Sequence, residues 1–337
     1  MKKAIVTGGG GFVGFAVVKQ LVQRGIEPVV IGRNPYPEVN KMGVRTLQGD
    51  IRDRDFLVKA FKGADTVFHV AAKAGIWGSW DAFYTPNVIG TSNVISACRK
   101  NNIPTLVYTS TPSVVFTGTD LCGVDETFPY ARKFLCNYAH TKVVAEQMVL
   151  AVNSDQLRTT ALRPHLVWGP GDTNLIPRLL DRGRHRLLKQ VGSGGNLVDI
   201  SYIDNVATAH LLAAENLESK ATAAGRAYFI SQGNPLNLWE WINSLFKRVG
   251  ILEVEEKVSF KKAYLGGMIL EGVYKTFPFL GEPLMTRFLA EQLAKSHWFS
   301  IDNAKNDLGY EPTVSTEKGM DRLVQWIEES GILTQED

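Results

Sequence analysis

Tyr138 and Lys142 stand four residues apart in Tyr-Ala-His-Thr-Lys, a spacing that brings both side chains onto one face of a helix. A phenol can give up or take a proton, and a neighbouring ammonium favours its charged form. The ordinary phenol pKa of about 10 is too high for efficient exchange near neutrality, and Lys142 is expected to correct that. Ser110 or Thr111, just past the apolar run 105–109, could hold and polarise a substrate oxygen. On an isolated helix the tyrosine–lysine pair would mean little.

Its meaning comes from the other end of the chain. Residues 7–14 read Thr-Gly-Gly-Gly-Gly-Phe-Val-Gly, between a strand candidate at 4–7 and an amphipathic stretch at 15–23. Gly8, Gly11 and Gly14 allow a tight strand-to-helix turn that a ligand can approach closely, and the amides around Phe12 and Val13 can meet a pyrophosphate. A dinucleotide there, with Tyr138 exchanging a proton at a carbonyl or alcohol, makes hydride transfer the chemistry that unites the two motifs. After the second strand, where an NAD-selective site would place an acid, the chain has Ile31-Gly-Arg-Asn34. Arg33 can embrace a 2′-phosphate, which favours NADP(H) over NAD(H); a merely exposed arginine is the competing reading. Asp50 could bond the adenine amino group with Ile51 against the ring, or could simply form a turn. Ala71 and Ala72 are small enough for a cofactor to pass over the fourth strand.

The elements that must position these residues follow from apolar runs at 4–7, 28–31, 44–47, 66–70, 105–109 and 159–162, alternating with helical patterns. They predict an α/β fold: a doubly wound parallel sheet of Rossmann type with a smaller, mostly helical lobe. Residues 1–165 read as the dinucleotide-binding domain, with segments near 197–232 returning to it through strands at 199–203 and 227–231. Residues 166–196 and 233–337 read as the substrate lobe, which opens on the turn chemistry of Trp168-Gly-Pro-Gly-Asp172 and a basic helical segment at 175–189.

A length of 337 residues and 45% hydrophobic content support a substantial core, and 37 basic against 34 acidic residues give a net charge of only +3, too little to argue for nucleic acid. Cys98, Cys122 and Cys136 lack paired spacing and no His-x-x-x-His occurs, so no disulfide framework or metal is expected. With no apolar leader after Lys2 and Lys3, the expectation is a cytoplasmic protein. The most membrane-like stretch, 263–281, is interrupted by Glu271 and Lys275 and should not span a bilayer; it could pack as an ordinary helix, cover a greasy pocket or touch a membrane surface.

These motifs, at these intervals, resemble the extended short-chain dehydrogenase/reductase family over nearly the whole chain. Gly8, Gly11 and Gly14 match its cofactor loop, Tyr138 and Lys142 its active pair, and Tyr108-Thr-Ser-Thr111 its Ser/Thr stretch, of which the last hydroxyl is usually active. Asn87 resembles its helix-positioning asparagine, and Arg163-Pro164 the turn beside the nicotinamide. More narrowly, residues 71–79, 110–114, 168–172, 196–199 and 202–205 look like the 3β-hydroxysteroid dehydrogenase branch, especially the oxoalkanoate reductases of bacterial olefin biosynthesis. That resemblance implies NADPH-dependent reduction of a long-chain 2-alkyl-3-oxoalkanoate to the 3-hydroxy acid, with Tyr138 as proton donor, Lys142 as anchor and Thr111 as carbonyl donor.

Trp77, Trp80, Phe83 and Tyr84 follow the fourth strand, where doubly wound sheets bind ligands, although packing explains any one of them equally well. Lys73, Trp77, Trp80, Ser113 and His165 are the expected substrate contacts. The partner is then a small hydrophobic keto acid or a steroid-like molecule, and a homodimer and association with pathway enzymes are further expectations. A steroid dehydrogenase or a nucleotide-sugar epimerase is the nearest enzymatic alternative, and a non-catalytic NADP sensor the alternative of another class. Pro112-Ser113, rather than an acid, follows Thr111, which argues against a sugar dehydratase.

Overall fold

The computed structural model describes residues 1–333. Seven parallel strands form one sheet: β1 (Lys3–Thr7), β2 (Glu27–Gly32), β3 (Arg45–Gln48), β4 (Thr66–His69), β5 (Thr105–Thr109), β6 (Arg158–Pro164) and β7 (Arg226–Ile230), in the order β7-β6-β5-β4-β1-β2-β3. Ala4, Ile5 and Val6 in the middle are fully buried, as expected of a strand covered on both faces. The doubly wound fold anticipated from the apolar runs is the observed one. Strand order reverses between β1 and β4, and such a switch opens a crevice at the strands' C-terminal ends.

Helices α1 (Phe12–Gln23) and α5 (Ile203–Glu218) pack together on one face, and α2 (Gly90–Lys100) and α3 (Asn137–Ala151) pack together elsewhere on the sheet. Further helices are α4 (Leu175–Arg184), α6 (Leu238–Arg248), α7 (Phe260–Thr276), α8 (Arg287–Ala294) and α9 (Thr316–Ser330). A second, four-stranded sheet joins Leu236–Asn237, Leu197–Val198, His297–Phe299 and Leu121–Val124. The last of these comes from the first half of the chain, where no strand was expected.

One of the two returning strands departs from expectation. β7 adds to the sheet edge beside β6 in parallel register. Ser201–Tyr202 instead pairs with Val167–Trp168 in a separate two-stranded ribbon. Its side chain explains the diversion: Ser201 Oγ reaches the carbonyls of both His165 (2.7 Å) and Ile230 (2.8 Å), straddling the strand ends instead of extending the sheet.

Two polar constructions lie inside the fold. The Arg163 guanidinium forks onto Glu146 (2.6 Å), with side chains 3% and 0% exposed, and Tyr130 Oη donates to the same carboxylate (2.7 Å). Arg163 also lies over the rings of Phe229 and Tyr130. The second is a chain of small groups. Thr91 Oγ1 gives its proton to Asn87 O (2.6 Å), so His69 Nε2 must donate to Thr91 (2.9 Å), and His69 Nδ1 accepts from Thr7 Oγ1 (2.8 Å). Asn87 continues the line, bonding Lys73 N and O and Thr141 Oγ1. It sits in a π-helical turn, Thr85–Ile89, a distortion that often marks functional positions.

Removing one member of a buried ion pair strands the other. Glu146→Leu should lower stability by about 3–5 kcal/mol, read from urea unfolding, with a smaller loss for Glu146→Gln, which still offers an acceptor to Arg163. Equal stability of Glu146→Leu and the parent would contradict this.

Candidate active site

The crevice at the switch point is a cleft of about 600 Å³. One end is the loop between β1 and α1. Gly8 takes φ +71°, and a Cβ on it would lie 2.8 Å from the backbone of Ala71; a Cβ on Gly14 would lie 2.2 Å from Gly8 O. These two positions are closed to any side chain, and the closeness keeps loop and β4 end together. α1 starts at Gly11 with no side-chain cap and no acid in its first turn, so its leading amides are available to an anion. Ser110 Oγ, 4% exposed in the cleft, is likewise an unpartnered polar atom. Such a donor-rich, backbone-lined trough fits a dinucleotide.

Gly8, Gly11, Phe12, Val13, Arg33, Asp50, Ile51, Ala71, Ala72, Tyr138, Lys142 and Pro164, all expected around a cofactor, line this one cleft, together with Thr111. Asp50 accepts from Arg52 N, Nε and Nη2 (2.9, 3.0 and 2.7 Å), which holds its carboxyl below the ordinary carboxylate range. The turn contact and the position in the cleft therefore coexist. Arg33 is exposed on the cleft wall with no ion pair among the described residues.

Tyr138 and Lys142 leave the first turns of α3. Burial pushes the pKa of the phenol up to about 12, with the Thr111 hydroxyl pulling the other way. Lys142 Nζ, 1% exposed, donates to Thr109 O (2.7 Å) and lies 4.1 Å from the centre of the Tyr108 ring. Burial pushes its amine down to about 7, against the pull of Glu146. Sequence spacing alone suggested that Lys142 would draw the phenol towards ionisation; in the fold, the largest influence on the phenol is desolvation, which acts the other way. His69, behind this pair, is held neutral by burial and by Lys142, its pKa at about 3.

Of the expected substrate contacts, Lys73 lines the cleft, with Nζ 5.5 Å from the Phe83 ring centre. The structure puts Trp77, Trp80, Ser113 and His165 outside the lining. Trp80 stacks on Tyr84 and His140, Phe83 is fully buried at the edge of Tyr138, and His165 packs in the interior against His297 and Phe299. Ser113 donates its amide to Thr111 Oγ1 and accepts from the Thr111 hydroxyl (both 3.2 Å). Trp80, Phe83 and His165 thus have ring contacts within the protein.

Several lining residues were missed, Tyr36, Asp172 and Asn174 among them. Tyr36 lies across the loop, its ring where a Cβ of Gly10 or Gly32 would be. Asp172, 3% exposed, accepts from the amides of Asn174, Leu175 and Ile176, fixing the start of α4 against the cleft, and Asn174 lines it too. The Gly-Pro-Gly-Asp turn was visible in the sequence, but nothing there said which wall it would build.

Residues 5–261 match the model of the 3-beta hydroxysteroid dehydrogenase/isomerase family, well over half of the chain. The chain belongs to that family. It is an oxidoreductase, as the relatives' names are. The 2-alkyl-3-oxoalkanoate reductase of Stenotrophomonas maltophilia (strain K279a) is 50% identical over 324 residues, covering 95% of this chain and 98% of that protein. The protein of the same name from Shewanella oneidensis is 46% identical over 328 residues, covering 95% and 85%. Among solved structures, the crystal structure of gox2253 superposes with a TM-score of 0.81 at 26% identity, over 98% of this chain and 99% of that one. The part that matches the 3-beta hydroxysteroid dehydrogenase/isomerase family holds every cleft residue named above and stops at the start of α7.

Lys142 gives this member of the family a pH signature. Its folded-state pKa lies below that of the unfolded chain, so between pH 7 and 10.5 the unfolded state holds a proton that the folded state has released. Stability then rises with pH through that window and is flat below it. Denaturant midpoints of the parent should therefore increase relative to those of Lys142→Met from pH 7 to pH 9; a constant difference would refute the depressed amine.

Proposed function

We propose that this protein reduces a long-chain 2-alkyl-3-oxoalkanoate to the 3-hydroxy acid with NADPH. The observation that carries the reading is that Tyr138 and Thr111 line one cleft whose other end is a glycine loop with free helix amides. The two relatives named 2-alkyl-3-oxoalkanoate reductase, about half identical over nearly the whole chain, support the substrate class.

The loop at Gly8 and Gly11 with the start of α1 would hold the pyrophosphate, Arg33 the 2′-phosphate, and Asp50 and Ile51 the adenine end. NADPH supplies the hydride. Thr111 donates a hydrogen bond to the substrate carbonyl, and Tyr138, which keeps its proton at neutral pH, delivers it to the oxygen as charge develops there. Lys142, fixed by Thr109 O, has further N–H groups to orient the ribose side of the site. Lys73 has no acid partner among the described residues and is the cation at hand for a substrate carboxylate.

NADPH oxidation followed with a racemic 2-alkyl-3-keto acid tests this directly, and turnover should be markedly better than with NADH. Tyr138→Phe should lose roughly 10²–10⁴-fold in kcat while still binding NADPH. Lys73→Met should raise KM for the free acid about tenfold or more and leave kcat nearly unchanged. Full activity in Tyr138→Phe would end the proton-donor assignment, and NADPH binding without turnover across keto acids and ketosteroids would favour a sensor.

A further inference from the structure

α7 is amphipathic in the wrong sense for a helix that serves only to pack. Its inward face presents Ala263, Gly267 and Glu271, all buried. Gly267 lies so close to α8 that a Cβ would meet the Thr286 carbonyl carbon at 2.6 Å, and Glu271 is consumed by Arg287, accepting from its amide (2.7 Å) and guanidinium (2.9 and 2.7 Å). Its outward face carries the large apolar side chains: Leu265, Met268, Ile269 and Val273, at spacings of three and four, continued beyond the helix by Phe277 and Phe279. Leu265 is 52%, Ile269 58% and Phe279 83% exposed. A helix held only by its own core turns these two faces the other way, and a contiguous exposed apolar surface signals something that covers it.

The charge around the patch says what. Lys261, Lys262 and Lys275 are exposed at the two ends of α7, and none forms an ion pair among the described residues. The two acids of the segment itself are spent: Glu271 on Arg287, and Glu282 on Arg178. What remains is an apolar strip with a cationic rim, the pattern of a segment lying in a lipid–water interface. A symmetric contact with a second copy would set that same-sign rim against itself. α7 has 17 residues, and no helix among the described residues is long and apolar enough to cross a membrane.

We propose that α7 and the turn after it, residues 260–284, dock this protein onto the surface of an anionic lipid bilayer. The segment begins where the family match ends, at residue 261. It is also tied to the cleft: Arg178 of α4 pairs with Glu282, Arg182 donates to Leu284 O (3.2 Å), and the first residue of the same helix, Leu175, lines the cleft. Docking does not depend on the reaction proposed above, although a substrate with two alkyl chains would partition into the same surface.

Flotation of the full chain with vesicles tests the proposal. The protein should rise with vesicles of equal phosphatidylcholine and phosphatidylglycerol, remain largely unbound with phosphatidylcholine alone, and bind more weakly as salt is raised. Reversing the rim by Lys261→Glu, Lys262→Glu and Lys275→Glu together should cut the partition coefficient about tenfold or more. Ile269→Ser with Phe279→Ser should abolish flotation with an unchanged unfolding midpoint, because both side chains are already in water. The proposal falls if neither vesicle retains the protein, if the apolar double variant floats as well as the parent, or if the patch proves to be covered in a dimer that ignores vesicles.

Discussion

The site depends on a line of hydrogen bonds that crosses the molecule without touching water. Thr7 at the end of β1, His69 at the end of β4, Thr91 in α2, Asn87 in the π-turn and Thr141 in α3 are joined in sequence. Each of these five side chains is at most 2% exposed, so a broken link would leave a desolvated polar group without compensation. The line fixes three things at once. Thr7 sits beside the glycine loop, Asn87 clamps the backbone of Lys73 in the cleft wall, and Thr141 lies between Tyr138 and Lys142. Loop, wall and the Tyr138–Lys142 turn of α3 cannot shift independently.

Much of this was legible because backbone sterics and periodicity leave few options. A glycine run after an apolar strand has a steric cause, now visible as the 2.2 Å that a Cβ on Gly14 would leave to Gly8 O. The tyrosine–lysine spacing puts two side chains on one face of any helix. β1, β2 and β4 to β6 read as apolar runs because both sheet faces are covered there, whereas β3, at the sheet edge, is only half-buried. What could not be read is what tertiary partners decide. Leu121–Val124 becomes a strand only because His297–Phe299, far away in sequence, arrives beside it. The ring contacts of Trp80 with His140, and of His165 with His297 and Phe299, likewise join residues distant in sequence. Asp172 looked like turn chemistry and is that, yet through the turn it also aims α4 at the cleft.

The stretch 263–281 shows the same limit from another side. Its composition allowed ordinary packing, a pocket lid or a surface contact, and only the direction in which each residue faces separates them. The fold turns glycine and a carboxylate inward and leucine, isoleucine and phenylalanine outward. The inward choice has its own cause, since Gly267 lets α8 approach and Glu271 reaches Arg287 across the contact. Moving the apolar face inward would cost that close packing and strand Arg287.

Electrostatics at the cleft turns on desolvation more than on the attraction between neighbours. Burial pushes the phenol of Tyr138 up and the amine of Lys142 down, each towards its neutral form. A neutral phenol at neutral pH is a proton donor. On the role proposed for Tyr138, reduction therefore starts from the form the fold already favours, whereas alcohol oxidation would first require a buried phenolate. Bringing phosphates to the glycine loop adds negative charge to the same cleft, which raises the proton affinity of Lys142 and returns it towards the ammonium. Such an ammonium favours the phenolate left behind after transfer. On that proposed role, the fold holds the proton on Tyr138 at neutral pH, and a bound anionic ligand would favour the Lys142 ammonium that eases its departure.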